Sequence, residues 1–379
     1  MRVYIILLIA VGLLLVAPAI AAADNNVTVV KPIAYAGSYG TGNGQIDTPL
    51  CVRVDAQDNV YILQDVHYGN GKTKSVITEY DKNLTFIRSF NVLKQSMSYQ
   101  GWDPAGNGFY YDNLATTFDM DNGGKIYILC GWDIVVYDKM GKYLYQFPDN
   151  SFMSWIDNVK GSTSFFYPQG IATTSDGYVA ITSGSAPENH EIIFITPDGK
   201  LYDKYDVDIN DMQDIVKDNN GSLYVIQSNS DVIHEFDSWM DNETNIALNF
   251  NGTYSGSPSS LAFFSDGSMA ASANGIFIYA ANGSLLLQFM DNNRSANNES
   301  WGKPIAVNSS GYLIVVNGKN QSAIIPQPIE VFKYESGWIV GAQAPVQTSY
   351  TWAIEIGVLA IAVVFYGLLA YFFIIRKYM

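Results

Sequence analysis

The chain has 379 residues, of which 48% are apolar and 15% charged, enough apolar material for one large β domain with appendages. Its 36 acidic and 21 basic residues leave a net charge of −15, which argues against nucleic acid and anionic membrane surfaces as partners.

The first 23 residues read as a secretory signal peptide. Arg2 precedes an apolar run from Ile5 to Val16, and Ala19-Ile20-Ala21 and Ala21-Ala22-Ala23 are both small-residue cleavage patterns. An uncleaved anchor is the alternative, although the run is short for a span.

From Pro49 to Gly318 one pattern recurs six times: a short apolar stretch, a tight polar turn, then a stronger apolar run. The turns align at Asp58, Gly124, Gly177, Gly221, Gly267 and Gly311, and six positions before each stands Val52, Phe118, Ile171, Ile215, Leu261 or Ile305. The runs after the turns begin at Val60, Ile126, Val179, Leu223, Met269 and Leu313. Third runs follow at Ile77–Tyr80, Ile134–Tyr137, Ile192–Ile195, Val232–Phe236, Ile276–Tyr279 and Ile329–Phe332. Fourth runs end on Phe90, Phe147, Tyr205, Phe250 and Phe289. Four short strands per repeat of about 40–50 residues is the signature of a propeller blade, and blades need neighbours to bury both faces. The sixth unit has only Trp338–Val340 for a fourth strand, while Ile33–Gly37 is spare at the start. The expected fold is therefore all-β, a six-bladed propeller over 31–340 closed by an N-terminal strand, rather than an open solenoid with polar caps.

Residues 341–351 form a linker. The segment 352–375 is long and apolar enough to cross a bilayer as one helix, with Tyr350, Trp352, Tyr371 and Tyr378 near its boundaries. Arg376 and Lys377 follow, so the positive-inside rule puts residues 376–379 in the cytoplasm and the propeller outside. A buried core helix is the other reading, but an all-β ring has no place for one. If the N-terminal strand alone completes blade six, the chain leaves its third strand on the face of the within-pair turns. The opposite, upper face then looks away from the membrane. A real fourth strand at Trp338–Val340 would remove that argument.

Ten Asn-x-Ser/Thr sequons occur, at Asn26, Asn83, Asn220, Asn242, Asn251, Asn282, Asn293, Asn298, Asn308 and Asn320. In an exported chain each can accept a glycan, and none falls between Asn83 and Asn220. Cys51 and Cys130 are the two cysteines; outside the cell they could pair, or stand as separate buried thiols.

The repeats resemble the NHL-repeat family of β-propellers. The resemblance rests on Gly37-Ser-Tyr-Gly40-Thr-Gly42-Asn-Gly44-Gln45 with Pro49, Val52 and Val54, Asp58-Asn59, Val60-Tyr61-Ile62 and Tyr80-Asp81, with Pro168…Asp176-Gly177 and Pro258…Asp266-Gly267 repeating the spacing. Unit four departs from it with Met212 in place of proline, and Pro304 is shifted by two positions. The resemblance covers roughly 31–340 and implies the fold. Rings of this kind serve as binding platforms, and similar architectures include lyases and metal-dependent hydrolases.

Signals for chemistry are sparse. His67 falls in a long loop after the second strand of unit one, His190 in the matching loop of unit three, and His234 in the third strand of unit four. They occupy no equivalent positions and form no ligand-spaced set, so neither a metal nor another cofactor is expected. Asp119-Met-Asp121-Asn-Gly123 opens like a calcium loop, but its twelfth position is Cys130, so it reads as the turn that every unit has. No nucleophile elbow or phosphate loop occurs.

Two long connections carry aromatic residues: 91–113, with Tyr99, Trp102, Phe109, Tyr110 and Tyr111, and 148–166, with Phe152, Trp155, Phe165 and Phe166. Both belong to the upper face and to the sequon-free stretch. They read as a docking surface, or as lids folded onto the blades. The expected role is a plasma-membrane, single-pass binding module for an extracellular protein or glycan. The alternatives are a lyase- or hydrolase-type enzyme with its site at the upper mouth of the axis, and a structural component of the cell envelope.

Overall fold

The computed structural model describes residues 31–340 apart from 69–71, 93–113, 132, 148–166, 185–190, 238–239, 241, 249, 251–256, 274, 290–303, 319–326 and 336–337. Residues 1–30 and 341–379 also lie outside the described residues, and with them the expected signal peptide, linker, membrane span and tail. Among the described residues no helix is long and apolar enough to cross a membrane.

The chain enters through three short strands, β1 (Ala34–Ala36), β2 (Ser38–Tyr39) and β3 (Gln45–Ile46). Six antiparallel sheets follow in chain order. Blade one is β4 (Thr48–Val54), β5 (Val60–Tyr68), β6 (Lys72–Tyr80) and β7 (Phe86–Asn91). Blade two is β8 (Ala115–Met120), β9 (Ile126–Cys130), β10 (Asp133–Tyr137) and β11 (Tyr143–Phe147). Blade three is β12 (Tyr167–Thr173), β13 (Val179–Gly184), β14 (Glu191–Ile195) and β15 (Leu201–Asp206). Blade four is β16 (Met212–Lys217), β17 (Leu223–Gln227), β18 (Val232–Phe236) and β19 (Glu243–Ala247). Blade five is β20 (Ser260–Phe263), β21 (Met269–Ser272), β22 (Ile276–Tyr279) and β23 (Leu285–Phe289). Blade six is β24 (Ile305–Val307), β25 (Tyr312–Val316), β26 (Ile329–Glu335) and β27 (Trp338–Val340), with β1 added. This is a six-bladed, all-β propeller. The fourth strand of blade four stops at Ala247 rather than at Phe250, whose buried ring instead packs edge-on against Phe277 of blade five.

Second strands are apolar on both faces because each lies between two blades. In β5, Tyr61 and Leu63 join Phe118, Ile126, Ile128 and Cys130 of blade two. The alternate residues Val60 and Ile62 join Ala306, Ile314, Val316 and Ile329 of blade six. In β9, Ile126 and Ile128 face blade one, whereas Tyr127 and Leu129 pack with Ile171, Ile181 and Ile193 of blade three. The period of two thus sends alternate side chains into two different interfaces. The layer between blades one and six closes the ring. On the lower face, Ser309 donates its amide and hydroxyl to Asp58 at 2.8 and 2.7 Å, joining the first and last turns.

The turns have one chemistry. An Asp, Asn or Thr accepts amides two or four residues on, and a residue with positive φ completes the turn. Asp55 accepts from Gln57 and Asn59, with Asp58 at φ 64°; Asp218 accepts from Asn220 and Ser222, with Gly221 at φ 93°.

The outer edge of blade six is shared. β1 pairs with β26 through Ala34–Val331, Tyr35–Glu330 and Ala36–Ile329, as expected for N-terminal closure. β27 pairs with the other half of the same edge through Lys333–Val340, Tyr334–Ile339 and Glu335–Trp338. The chain therefore turns back along β26 instead of leaving the ring on its lower face, and the exit gives no support to an outward-looking upper face. Deleting Ile33–Gly37 exposes half of that edge. We expect aggregation or loss of cooperative unfolding, read by light scattering and calorimetry; a monomer with unchanged melting would contradict N-terminal closure.

Candidate functional site

The innermost strands β4, β8, β12 and β16 bring a polar cluster together on the axis. Residues six before each turn pack toward the preceding blade, as Phe118 does toward blade one. Their neighbours in sequence turn toward the following blade and the channel. There stand Cys51 and Arg53 of blade one, Asp119 of blade two and Asp214 of blade four; Thr173 and Lys217, two positions after Ile171 and Ile215, reach back from blades three and four toward blade two.

Asp119 is the hub. Its Oδ2 accepts the Thr173 amide at 2.7 Å and the Thr173 hydroxyl at 2.8 Å, and lies 3.4 Å from Lys217 Nζ. Its Oδ1 lies 3.4 Å from Arg53 Nε. Lys217 Nζ also donates to the Met120 carbonyl at 3.0 Å and to Thr173 Oγ1 at 2.5 Å. Lys217 thus reaches blade two past blade three, so the contact crosses the channel. Burial would raise the Asp119 pKa, but Lys217, Arg53 and the Thr173 bonds overcome it and hold the carboxyl below its usual range.

Asp214 behaves in the opposite way. Its Oδ1 accepts its neighbour's amide, Ile215 N, at 2.9 Å. Burial dominates and pushes its pKa up to about 6, with Arg53 opposing and Asp119 adding to the rise. Gly170 of β12 explains the tight fit: a Cβ there would come within 2.6 Å of Ile215 N and 2.7 Å of Asp214 Cα. Burial likewise raises the Cys51 thiol, whose Sγ approaches Thr117 Oγ1 at 3.6 Å and the Phe118 carbonyl at 3.8 Å.

Arg53, Asp119, Thr173 and Lys217 stand at the ends of the inner strands that lead into the lower turns, whereas Cys51 and Asp214 lie further up their strands. The pattern was visible in the aligned repeats. Five residues before the turn, units three to six carry Ala172, Val216, Ala262 and Ala306, whereas units one and two carry Arg53 and Asp119. The spacing that made Asp119 resemble a calcium loop also hid it. Asp121 makes the turn, accepting Lys125 N at 2.8 Å, while Asp119 is still in β8.

The residues singled out in the sequence have other places. His67 lies within β5, not in a loop, because β5 and β6 extend together; Asp47 accepts its amide at 2.7 Å and faces its Nδ1 at 3.3 Å. His234 is enclosed in β18 between Glu243 (2.9 Å) and Gln227 (3.3 Å). His190 lies outside the described residues. Among the described residues no group of three or more His, Cys, Asp or Glu is placed to hold a metal ion. Cys51 and Cys130 are buried thiols with no disulfide between them. Tyr99, Trp102, Phe109, Tyr110, Tyr111, Phe152, Trp155, Phe165 and Phe166 lie outside the described residues, as do Asn26, Asn251, Asn293, Asn298 and Asn320. The other five sequons are all on lower turns: Asn83 and Asn282 between third and fourth strands, Asn242 likewise in blade four, and Asn220 and Asn308 between first and second strands.

No known family matches the chain, and no curated protein matches it. Similar solved structures include a streptogramin B lyase, at 15% identity and a TM-score of 0.47 over 80% of this chain and 87% of that one. Virginiamycin B lyase from Staphylococcus aureus is similar at 13% identity and 0.45, over 78% and 88%. The WD40 repeats of RRP9 are similar at 8% identity and 0.49, over 82% and 84%. Likenesses this distant carry no argument about chemistry.

Two variants test the cluster. Asp119→Asn leaves Arg53 and Lys217 without their shared counter-charge and should cost on the order of 3 kcal/mol at neutral pH, read by denaturant unfolding. For Asp214 the folded pKa of about 6 lies above the ordinary 3.8. Between those values the folded chain holds a proton that the unfolded chain has released, so stability falls as pH rises, and the whole penalty applies above about 6. Asp214→Asn should therefore stabilise the protein by on the order of 1–2 kcal/mol at pH 7.5 and leave it little changed near pH 4.

Proposed function

We propose that this chain is an exported propeller of the NHL-repeat kind, tethered to the plasma membrane by residues 352–375, whose upper face binds an extracellular protein or glycan. The observation that carries this reading is the division of the two faces. All five described sequons sit on lower turns, where glycans would crowd the surface. The upper connections 91–113 and 148–166 carry no sequon and nine of the chain's aromatic residues singled out above. Asn293, Asn298 and Asn320 belong to upper connections of blades five and six, which leaves blades one to three as the docking side.

Flat aromatic rings supply large contact area at small entropic cost, and truncating a central anchor costs about 2 kcal/mol, some thirtyfold in affinity. Trp102→Ala and Trp155→Ala, in protein shown to be folded, should each weaken capture of a partner identified by a protein and glycan binding screen. A new sequon in either connection should block it. Binding that survives all of these changes would place the partner elsewhere. Protease added to intact cells should remove the propeller; a protected propeller would overturn the proposed topology.

A second reading, an enzyme working on the axis, is favoured by the Arg53, Asp119, Asp214 and Lys217 cluster and by the raised Asp214 pKa. It requires turnover that Asp214→Asn abolishes while binding at the upper face persists.

A further inference from the structure

The axial cluster leaves one hydrogen-bonding demand unmet. Arg53 has five N–H donors. Its Nη1 donates to the Val52 carbonyl at 3.1 Å, and its Nε faces Asp119. Its Nη2 is buried and has no hydrogen-bond partner among the described residues. A buried charged donor left without an acceptor costs about 1–3 kcal/mol or more, so the site calls for an acceptor that the described residues do not supply. Lys217 is no competitor for such a ligand, since Thr173, Met120 and Asp119 already take its donors.

Across the channel stands Asp214. Only Oδ1 is engaged, by Ile215 N. Arg53 and Asp214 influence each other electrostatically, yet no ion pair joins them among the described residues. The charges that bear on Asp214 come from Arg53 on β4 and Asp119 on β8; β12 presents the backbone of Gly170, and Cys51 of β4 adds a thiol that burial keeps protonated. With Asp214 ionised, two cations face two carboxylates and the cluster is neutral. With Asp214 protonated, Arg53 and Lys217 face Asp119 alone, and one positive charge is in excess. The protonated carboxyl has then become a second donor within electrostatic reach of Arg53. A water molecule would satisfy the guanidinium but not the charge.

We propose that the axis of the ring holds a small monovalent anion, chloride or a short carboxylate, between Arg53 Nη2 and the carboxyl group of Asp214, taken up together with a proton. This site is separate from the upper face and does not depend on what binds there.

The test is titration calorimetry of the full-length protein in detergent with sodium chloride and, separately, sodium formate, at pH 5 and pH 7.5. If uptake requires protonated Asp214, half-saturation falls about thirtyfold between pH 7.5 and pH 5. Arg53→Gln should abolish binding. Asp214→Asn, a neutral donor of the same size, should bind equally at both pH values. Chloride binding alone would identify a halide site, and formate binding alone or more tightly a carboxylate site; either supports the proposal. No binding of either anion at pH 5, Arg53→Gln binding like the native chain, or Asp214→Asn keeping the native pH dependence would each overturn it. If Arg53→Gln does not fold, the pH dependence of Asp214→Asn decides.

Discussion

In an all-β chain, a four-stranded sheet that is apolar on both faces is buried by standing between two others like itself. The β5 and β9 strands impose this constraint most plainly. Val60 and Ile62 need blade six, while Tyr61 and Leu63 need blade two. Each interface is then a slab of aliphatic and aromatic side chains with neither blade able to let go alone. Closure follows from that requirement, because an open row would leave two such slabs in water. The contact of Val52, Val60 and Tyr80 with Ile314, Val316 and Ile329 removes the last of them. The Asp58–Ser309 bonds hold the same seam at its lower end.

Closing a ring from one chain creates a second problem, the outer edge of the blade where the chain starts and stops. Here both ends contribute, β1 to one half of the β26 edge and β27 to the other. Together they cover an edge that would otherwise template pairing with another molecule. Neither short strand would hold its place alone. Both borrow their order from β26, which is paired on its inner side to β25 along Tyr312–Val316.

The axis is governed by the opposite economy of charge. Blades one to four bring polar groups to the axis, Arg53, Asp119, Thr173, Asp214 and Lys217. Asp119 satisfies two cations and two donors of Thr173, which makes it the best-supported carboxylate of the cluster. Asp214 has one local amide bond and a burial cost that its neighbours do not cover. Two carboxyl groups on one axis thus have pKa values displaced in opposite directions by their surroundings. That asymmetry, rather than the presence of charge as such, makes the axis a candidate for chemistry or binding.

Much of the ring was legible from the chain alone. The six turns, the apolar runs after them and the spare strand at Ala34–Ala36 are local patterns, set by the period of two in a strand and by the need for Asp, Asn or Gly in a tight turn. A repeat also reveals its own exceptions, so Arg53 and Asp119 stand out against the small apolar residues Ala172, Val216, Ala262 and Ala306 of later units. The meeting of Arg53, Asp119, Thr173, Asp214 and Lys217 could not. These residues belong to four repeats, and the radius of the closed ring alone decides which of them touch across the channel. Tertiary pairing likewise drew His67 into β5, ended blade four at Ala247 and set β27 beside β1. Sequence determined the unit and its number, because burial on two faces is written in every strand. Three-dimensional closure decided the axis and the edge, because both are made of residues that become neighbours only when the last blade meets the first.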